Sequence, residues 1–222
     1  FYPLFDFDKI ASHDVFVYNN YFGVCDKQIE LVSTKVKNLI IDNSQAFYAL
    51  PLHDVDTFYS PRKFFGLPDG AYLYTDTFLN ETYEQDMSWQ RFEHLIGRID
   101  LGAESFYKIF RQNDESLINQ PIKKMSKLTQ KLLSSIDYKL IAKKRKNNFN
   151  ILHQSLQKTN ELIIRPLNNA VPMVYPYLIK NGAELRRKLI ANKIYIASYW
   201  ANVQDWTKKN SFEYNLVENL LA

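Results

Sequence analysis

The strongest constraint on the fold is the alternation of short apolar runs with a helical segment in the first third of the chain. The apolar runs are residues 14–23, 38–42, 56–60 and 70–76. Between the first two, residues 25–37 carry apolar side chains at helical spacing. Short continuous apolar runs are typical of buried strands, and their alternation with a helix favours a parallel arrangement. The sequence therefore predicts an α/β fold with a mostly parallel sheet.

The middle of the chain is predicted to be helical, and its last part to return to a mixture of strands and helices. Helical spacing of apolar residues covers residues 82–99, 102–117, 122–136 and 137–157. The later elements are a strand at 171–179, a helix at 181–193 and a strand at 194–200. We place a domain boundary where the pattern changes. Residues 1–136 then form a large domain with a helical connector, and residues 137–222 form a small α/β domain.

Composition excludes several classes of function. A hydrophobic fraction of 46% with 23% charged residues is typical of a globular protein. The net charge is only +4, and most of the positive excess lies in residues 139–148, which we interpret as a solvated helix face. This charge distribution gives no indication of nucleic-acid binding.

The single cysteine, Cys25, excludes an intramolecular disulfide and fits a reducing compartment. No apolar run approaches the roughly 20 residues needed to span a bilayer, so no membrane association is expected and the predicted location is cytoplasmic. Because the chain opens at Phe1 inside an apolar run and stops in a helix-like segment, we expect it to be part of a longer protein.

Lys63 is the first candidate for chemistry. It lies in an aromatic stretch with Tyr59, Phe64 and Phe65, where lysine is unusual. A lysine amine forms a Schiff base with an aldehyde cofactor only when it is partly deprotonated, and apolar surroundings favour the neutral amine. The alternative is an ordinary core loop from which the lysine extends to solvent.

Two other residues fit the same chemistry. A pyridoxal phosphate enzyme needs a carboxylate on the pyridinium nitrogen and donors for the phosphate. Asp42, at the end of a predicted strand, can supply the carboxylate, and Ser60 can supply part of the phosphate site. Sites in α/β sheets gather at the carboxyl ends of strands, which is where both residues are predicted to lie.

The stretches "LIIDNSQAFY" (residues 39–48) and "YSPRKFFGLPDGAYLYT" (residues 59–75) resemble the core of the DegT/StrS family of sugar aminotransferases, without the family's N-terminal portion. These are pyridoxal phosphate-dependent enzymes of fold type I. The resemblance maps the family's acidic residue to Asp42, its glutamine to Gln45, its serine to Ser60 and its Schiff-base lysine to Lys63. It implies that Asp42, Gln45, Ser60 and Lys63 bind the cofactor and that Lys63 is catalytic.

The resemblance also implies an activity and partners. The reaction is transfer of an amino group, from a donor such as glutamate, to a keto-sugar nucleotide in surface polysaccharide synthesis. The protein is expected to form a homodimer with sites at the subunit interface. A dehydratase of the same fold usually replaces the lysine, so Lys63 argues against that reaction.

The chain also departs from the family. At residues 122–126 the family's asparagine, which reaches the neighbouring subunit's site, is absent, and the Ser60–Lys63 spacing is short. These departures keep open an alternative, a catalytically inactive relative with a binding or structural role.

Two further residues near the lysine are candidates for substrate binding. Arg62 can bind an anionic substrate or phosphate, or can simply pair with Asp56 or Asp69. His53 lies between Asp42 and Lys63 in sequence and can enter the pocket or fill a loop. The histidines are scattered without metal-ligand spacing, so no metal site is predicted.

Overall fold

The computed structural model describes residues 5–164 and 170–222, so the expectation about Phe1 lies outside the described residues. The chain forms an α/β structure around a mixed four-stranded sheet in the order β1-β2-β3-β4. The strands are β1 (Phe16–Asn19), β2 (Leu39–Asp42), β3 (Asp56–Tyr59) and β4 (Tyr72–Tyr74). The first three are parallel and β4 pairs antiparallel with β3. All four predicted strands of the first third are confirmed, in shorter form.

One face of the sheet is buried beneath helix α1 (Asp26–Ser33). Tyr18 and Ile41, adjacent in register, pack in one cluster with Ile29 and Val32 of the helix. The helical spacing of apolar residues in 25–37 therefore supplies the stripe that covers the sheet.

The opposite face of the sheet is open in the part of the chain that the structure describes. Val17 is 52% exposed and Leu73 is 55% exposed, and both lie on this face. Asp42 is aligned with Phe58, which is aligned with Leu73, so the Asp42 carboxylate belongs to the same open face. A carboxylate at a strand end is therefore accessible.

Four helices follow the sheet. They are α2 (Glu93–Leu101), α3 (Ala103–Ser116), α4 (Lys127–Ser134) and α5 (Tyr138–Leu156). Helices α2 and α3 form a close pair, since a Cβ on Gly97 would lie only 2.1 Å from the Phe106 ring. The predicted helix at 82–99 is wrong in its first half, where Gln85 forms an extended bridge with Lys124. The helix predicted at 122–136 begins only at α4, because Ser126 caps it by accepting a hydrogen bond from the Thr129 amide.

The last part of the chain differs most from its prediction. It contains β5 (Tyr177–Leu178), α6 (Gly182–Ala191), α7 (Val203–Trp206), α8 (Phe212–Asn219) and β6 (Leu220–Leu221). The predicted strand at 171–179 is reduced to two residues, and the strand predicted at 194–200 is irregular. Lys193 and Trp200, on either side of the apolar stretch, have φ values of 63° and 52°, which end extended structure. The strand that pairs with β5 is β6.

A buried polar network joins the loop after β3 to α4. Arg91 forms ion pairs with both Asp69 and Asp86. The other oxygen of Asp69 accepts a hydrogen bond from Thr129 Oγ1 at 2.8 Å. Asp69 and Thr129 are both buried, so this network stabilises the turn that brings the chain into β4.

Residues before and after position 137 pack together, since Phe22 and Phe64 share a buried cluster with Leu162 and Leu178. The division into domains 1–136 and 137–222 stays a prediction. Among the helices of the described ranges, none has both the length and the apolar composition needed to cross a membrane.

Candidate functional site

The candidate site lies where β2 and β3 end. Parallel strands bring their carboxyl ends to the same edge of the sheet, so Asp42 and the short 3-10 turn Pro61–Lys63 come close together. Lys63 Nζ donates a hydrogen bond to Ser44 Oγ at 3.0 Å. The Ser44 amide donates to Asp42 Oδ1 at 2.7 Å. Asp42, Ser44 and Lys63 are thus joined by consecutive contacts.

Local sequence explains how the Asp42 side of the site is held. The Asp42 carboxylate accepts from the amide two residues later, which is an Asx-turn. The next residue, Asn43, is buried, and its backbone N–H donates to the Phe58 carbonyl of β3 at 2.9 Å. The turn is therefore attached to the neighbouring strand, which fixes Ser44 opposite the lysine.

The Lys63 side of the site is held by Pro61. Proline occupies the first position of the turn, where its fixed φ suits a helical start. The amides of Phe64 and Phe65 both donate to the Pro61 carbonyl, at 2.9 and 3.0 Å. Phe64 is buried among Phe22 and Leu162, and this packing anchors the backbone from which Lys63 projects.

The surroundings lower the pKa of the Lys63 amine below its ordinary value. Desolvation is the largest cause and the charge of Arg62 adds to it, whereas the carboxylates of Asp42 and Asp114 act in the opposite direction. The Lys63 side chain remains exposed to solvent, so the decrease in pKa is moderated by water. The result is an accessible amine that loses its proton more easily than an ordinary surface lysine.

Ser60 directly precedes the turn in extended conformation, and its side chain makes no capping hydrogen bond. Its hydroxyl is half-buried at the same edge as Lys63. The role of Ser60 as a donor to an anionic group stays a prediction.

Gln45 has a structural contact that the sequence did not predict. Its side chain is buried, and Oε1 accepts the backbone N–H of Phe22 at 2.9 Å. Phe22 adopts a left-handed φ of 57°, a conformation that costs energy for an aromatic residue. The amide oxygen of Gln45 therefore supports a strained turn, and only its nitrogen is left for a ligand.

Arg62 forms an ion pair with Asp114 of α3. The sequence had considered Asp56 or Asp69 as its partner, and Asp69 pairs with Arg91 instead. The partner is 52 residues away in sequence, which is why local sequence did not reveal it. The pair lies beside the site, and the Arg62 guanidinium is already bound to a carboxylate instead of being available to an anionic substrate.

His53 is exposed and forms a contact of 2.7 Å with Asp54. Together with Asp76 the two residues place three possible metal-ligand atoms within 4.8 Å of one another. All three residues are exposed, and exposed groups of this kind are common without an ion. The structure therefore places His53 in a surface cluster, and this cluster by itself does not establish a metal site.

Sequence reasoning missed Ser44. It selected Gln45 and Ser60 as the polar neighbours of the lysine, but the hydroxyl that contacts Lys63 Nζ comes from the Asx-turn after β2. A serine two residues after a strand-terminal aspartate was the available signal, because an Asx-turn projects that position from the strand end.

The donor set fits part of pyridoxal phosphate. An accessible amine of lowered pKa suits the aldehyde, a carboxylate on the open sheet face suits the ring nitrogen, and the Ser60 hydroxyl suits one phosphate oxygen. Among the residues in the described ranges, the cation next to Lys63 is already paired with Asp114. Binding of the whole phosphate group would require hydrogen-bond donors in addition to the Ser60 hydroxyl.

No protein-family model matches the chain, and no curated protein matches it. Solved structures that are similar to the chain include three that each share 11% sequence identity with it. AtS13 from Actinomadura melliaura aligns with 97% of this chain over 62% of its own length, with a TM-score of 0.48. A DegT DnrJ EryC1 StrS aminotransferase from Brucella abortus aligns with 92% of this chain over 57% of its own length, with a TM-score of 0.46. Sugar aminotransferase CalS13 from Micromonospora echinospora aligns with 97% of this chain over 64% of its own length, with a TM-score of 0.49. The chain spans about three fifths of the length of these proteins. A likeness at this level carries no inference about activity, substrate or cofactor.

Proposed function

We propose that the protein is a pyridoxal phosphate-dependent aminotransferase of fold type I, with Lys63 as the residue that holds the cofactor. The observation that carries the proposal is the Lys63 amine itself. Its pKa is lowered, its Nζ contacts Ser44 at 3.0 Å, and the Asp42 carboxylate lies within electrostatic reach. What distinguishes Lys63 from an ordinary surface lysine is the desolvation that lowers the pKa of its amine beside Asp42 and Ser44.

Lys63 performs two tasks in this proposal. Its amine would hold the cofactor through the aldehyde, which requires the neutral form of the amine that desolvation favours. The neutral Nζ would also be the base that takes a proton from a substrate carbon and returns it during amino-group transfer. When bound, the cofactor supplies the electron sink that makes this proton acidic.

The other residues orient the cofactor. Asp42 would accept a hydrogen bond from the pyridine nitrogen and keep it protonated, since the Ser44 amide donates to Oδ1 and not to Oδ2 of the same carboxylate. Ser60 donates to the phosphate. The side-chain nitrogen of Gln45 would contact the ring oxygen of the cofactor or the substrate, since the side-chain oxygen accepts the Phe22 N–H.

The substrate class in the proposal comes from the resemblance of residues 39–48 and 59–75 to sugar aminotransferases. On that ground the acceptor is a keto-sugar nucleotide, the donor is glutamate, and the protein acts as a cytoplasmic homodimer in surface polysaccharide synthesis. A dimer with sites at the subunit interface would provide a source for the additional phosphate donors.

The test is covalent trapping. The protein is mixed with pyridoxal phosphate, reduced with borohydride and digested, and the modified lysine is identified by mass spectrometry. We expect one dominant adduct at Lys63, loss of that adduct in Lys63→Ala, and no change in Lys139→Ala, which removes an exposed lysine of α5. If Lys63→Ala traps as much cofactor as the unchanged protein, the assignment is wrong.

A second candidate, a relative that keeps the fold without catalysis, is favoured by two contacts. Arg62 is paired with Asp114, and the Gln45 oxygen is bonded to the Phe22 amide, so two predicted ligand groups are already used within the chain. The same trapping experiment separates the candidates. An inactive relative shows labelling spread over exposed lysines, with no preference for Lys63.

A further inference from the structure

A cavity whose lining does not include Lys63 lies between α5, α6 and residues 172–177. Its volume is about 540 Å³, which is within the range of roughly 300–1,000 Å³ found for small-molecule sites. The wall is mainly aliphatic and aromatic. Its principal residues are Phe149, Leu152, Leu156, Tyr177, Leu185 and Leu189. An apolar space of this size between two helices is large enough for an organic ligand.

Arg145 of α5 is the one charged side chain among the described residues that line this cavity. Its Nη1 donates to the Met173 carbonyl at 2.9 Å and its Nη2 to the Phe64 carbonyl at 3.0 Å. The guanidinium also lies 4.6 Å from the centre of the Phe64 ring. These contacts fix the orientation of the guanidinium but do not neutralise it.

The charge of Arg145 is uncompensated within the described residues. No aspartate or glutamate there forms an ion pair with it, and its buried Nε has no hydrogen-bond acceptor. Burial lowers the pKa of Arg145, but a guanidinium starts so far above neutrality that it stays charged. A partly desolvated cation without a carboxylate partner favours an anion, and Arg145 is half-buried in the wall of a largely apolar cavity.

We propose that this cavity binds a small amphipathic monoanion, with a carboxylate against Arg145 and an apolar body between α5 and α6. A guanidinium presents N–H donors in a planar fork that matches a carboxylate. The rest of the wall offers aliphatic and aromatic contacts suited to a hydrocarbon chain or ring. The lining includes none of Asp42, Ser44, Ser60 or Lys63, although Arg145 donates to the carbonyl of Phe64, the residue after Lys63. The proposal does not rest on the proposed aminotransferase activity.

The experiment is isothermal titration calorimetry on the whole protein with octanoate, decanoate and 1-octanol. Octanoate and 1-octanol have the same chain length and differ in head-group charge. We expect octanoate to bind at least tenfold more tightly than 1-octanol. We also expect decanoate to bind about tenfold more tightly than octanoate, because two more methylenes are buried.

Variants locate the site. Arg145→Gln is expected to remove the preference for octanoate over 1-octanol, whereas Arg145→Lys, which keeps the charge, retains part of it. Leu189→Trp fills the cavity without touching Arg145 and is expected to abolish binding of all three probes. The matched control is Leu128→Trp, at a leucine of α4 that is 39% exposed and does not line the cavity.

The proposal is overturned by any of three results. These are equal affinity for octanoate and 1-octanol, absence of saturable binding to the folded protein, or unchanged binding in Leu189→Trp. If Arg145→Gln does not fold, the Arg145→Lys and Leu189→Trp measurements still decide the outcome. Lys63→Ala is expected to bind octanoate like the unchanged protein, so failure of the aminotransferase proposal does not affect this one.

Discussion

Arg91 and Lys63 are both basic side chains near carboxylates, but only Arg91 forms ion pairs with them. Arg91 is held by two carboxylates, Asp69 and Asp86, and the buried Asp69 is bonded in turn to Thr129. Lys63 has one hydrogen bond, to a serine hydroxyl, and remains exposed. The first region has its charges matched within the chain, and the second does not.

The difference shows how a stabilising cluster can be distinguished from a candidate site in the same molecule. A buried ion pair whose remaining donors and acceptors are satisfied has no capacity left for a ligand, and removing one member leaves an uncompensated charge. A group with a lowered pKa, a single weak partner and access to solvent can still react. Substitutions at Arg91 should therefore affect stability, and substitutions around Lys63 should affect chemistry.

The largest expected effect is on stability at Arg91. Arg91→Met leaves Asp69 and Asp86 close together without their cation, so we expect the free energy of unfolding to fall by about 3–5 kcal/mol. Urea unfolding followed by circular dichroism measures it. The matched control is Arg111→Met, which breaks the exposed pair with Glu115 at 3.2 Å and should cost about 0.5 kcal/mol or less. A loss at Arg91 no larger than this control would remove the contrast between the two regions.

The second effect is on catalysis at Asp42. Asp42→Asn keeps the shape of the side chain but removes the charge that, in the proposed function, would hold a proton on the ring nitrogen of the cofactor. We expect roughly a hundredfold slower transfer from glutamate to bound pyridoxal phosphate, equivalent to about 2.7 kcal/mol in the barrier. Stopped-flow absorbance of the cofactor measures the rate, and urea unfolding serves as the control for stability. An unchanged rate would exclude Asp42 from the site.

A smaller effect concerns the pH dependence of Lys63. Because desolvation lowers its pKa, the neutral, reactive amine is populated at lower pH than in an ordinary lysine. We expect the rate of reductive methylation at Lys63, measured by mass spectrometry, to reach its midpoint at lower pH than at the exposed Lys139 in the same sample. Protonation of Lys63 is less favourable in the folded than in the unfolded state. Its charge therefore lowers the free energy of unfolding, and this loss is complete below the folded-state pKa. Coincident profiles at the two lysines would refute the reactive-amine interpretation.

The smallest effect is expected at Ser44. Its hydroxyl accepts a hydrogen bond from the Lys63 ammonium and so favours the charged form. Ser44→Ala should therefore lower the pKa of Lys63 further and raise its methylation rate at fixed pH by roughly twofold, a small change because the contact is partly solvated. Ser33→Ala, at an exposed end of α1 where the hydroxyl bonds only to the Glu30 carbonyl, is the control. A slower reaction in Ser44→Ala would show that the hydroxyl activates the amine instead.

Local pattern predicted the parts of the molecule in which neighbouring residues determine the structure. The apolar runs predicted β1 and β2 because both have residues that pack in the cluster with α1, and the position of Asp42 at a strand end followed from the run "LIID".

Contacts between distant residues could not be predicted in this way. The pairing of Arg62 with Asp114 depends on where α3 packs, and Ser44 reaches Lys63 only because β2 and β3 are parallel. The stretch 194–200 has the composition of a strand but has no strand beside it, whereas the short segment Leu220–Leu221 does. Pairing with a neighbouring strand, and not the β-propensity of the segment itself, therefore determined which apolar segment forms a strand.

That pairing has a consequence for the order of folding. Tyr177 is aligned with Leu221, so the two-stranded sheet closes a long loop that contains α6, α7 and α8. Closing such a loop costs chain entropy before any contact compensates for it. A Cβ on Gly182 would lie 1.9 Å from the Asn219 carbonyl oxygen, so α6 and the end of α8 must also be in place. We therefore expect β5 and β6 to pair late in folding, and protection of their amides from hydrogen exchange to develop after that of β2.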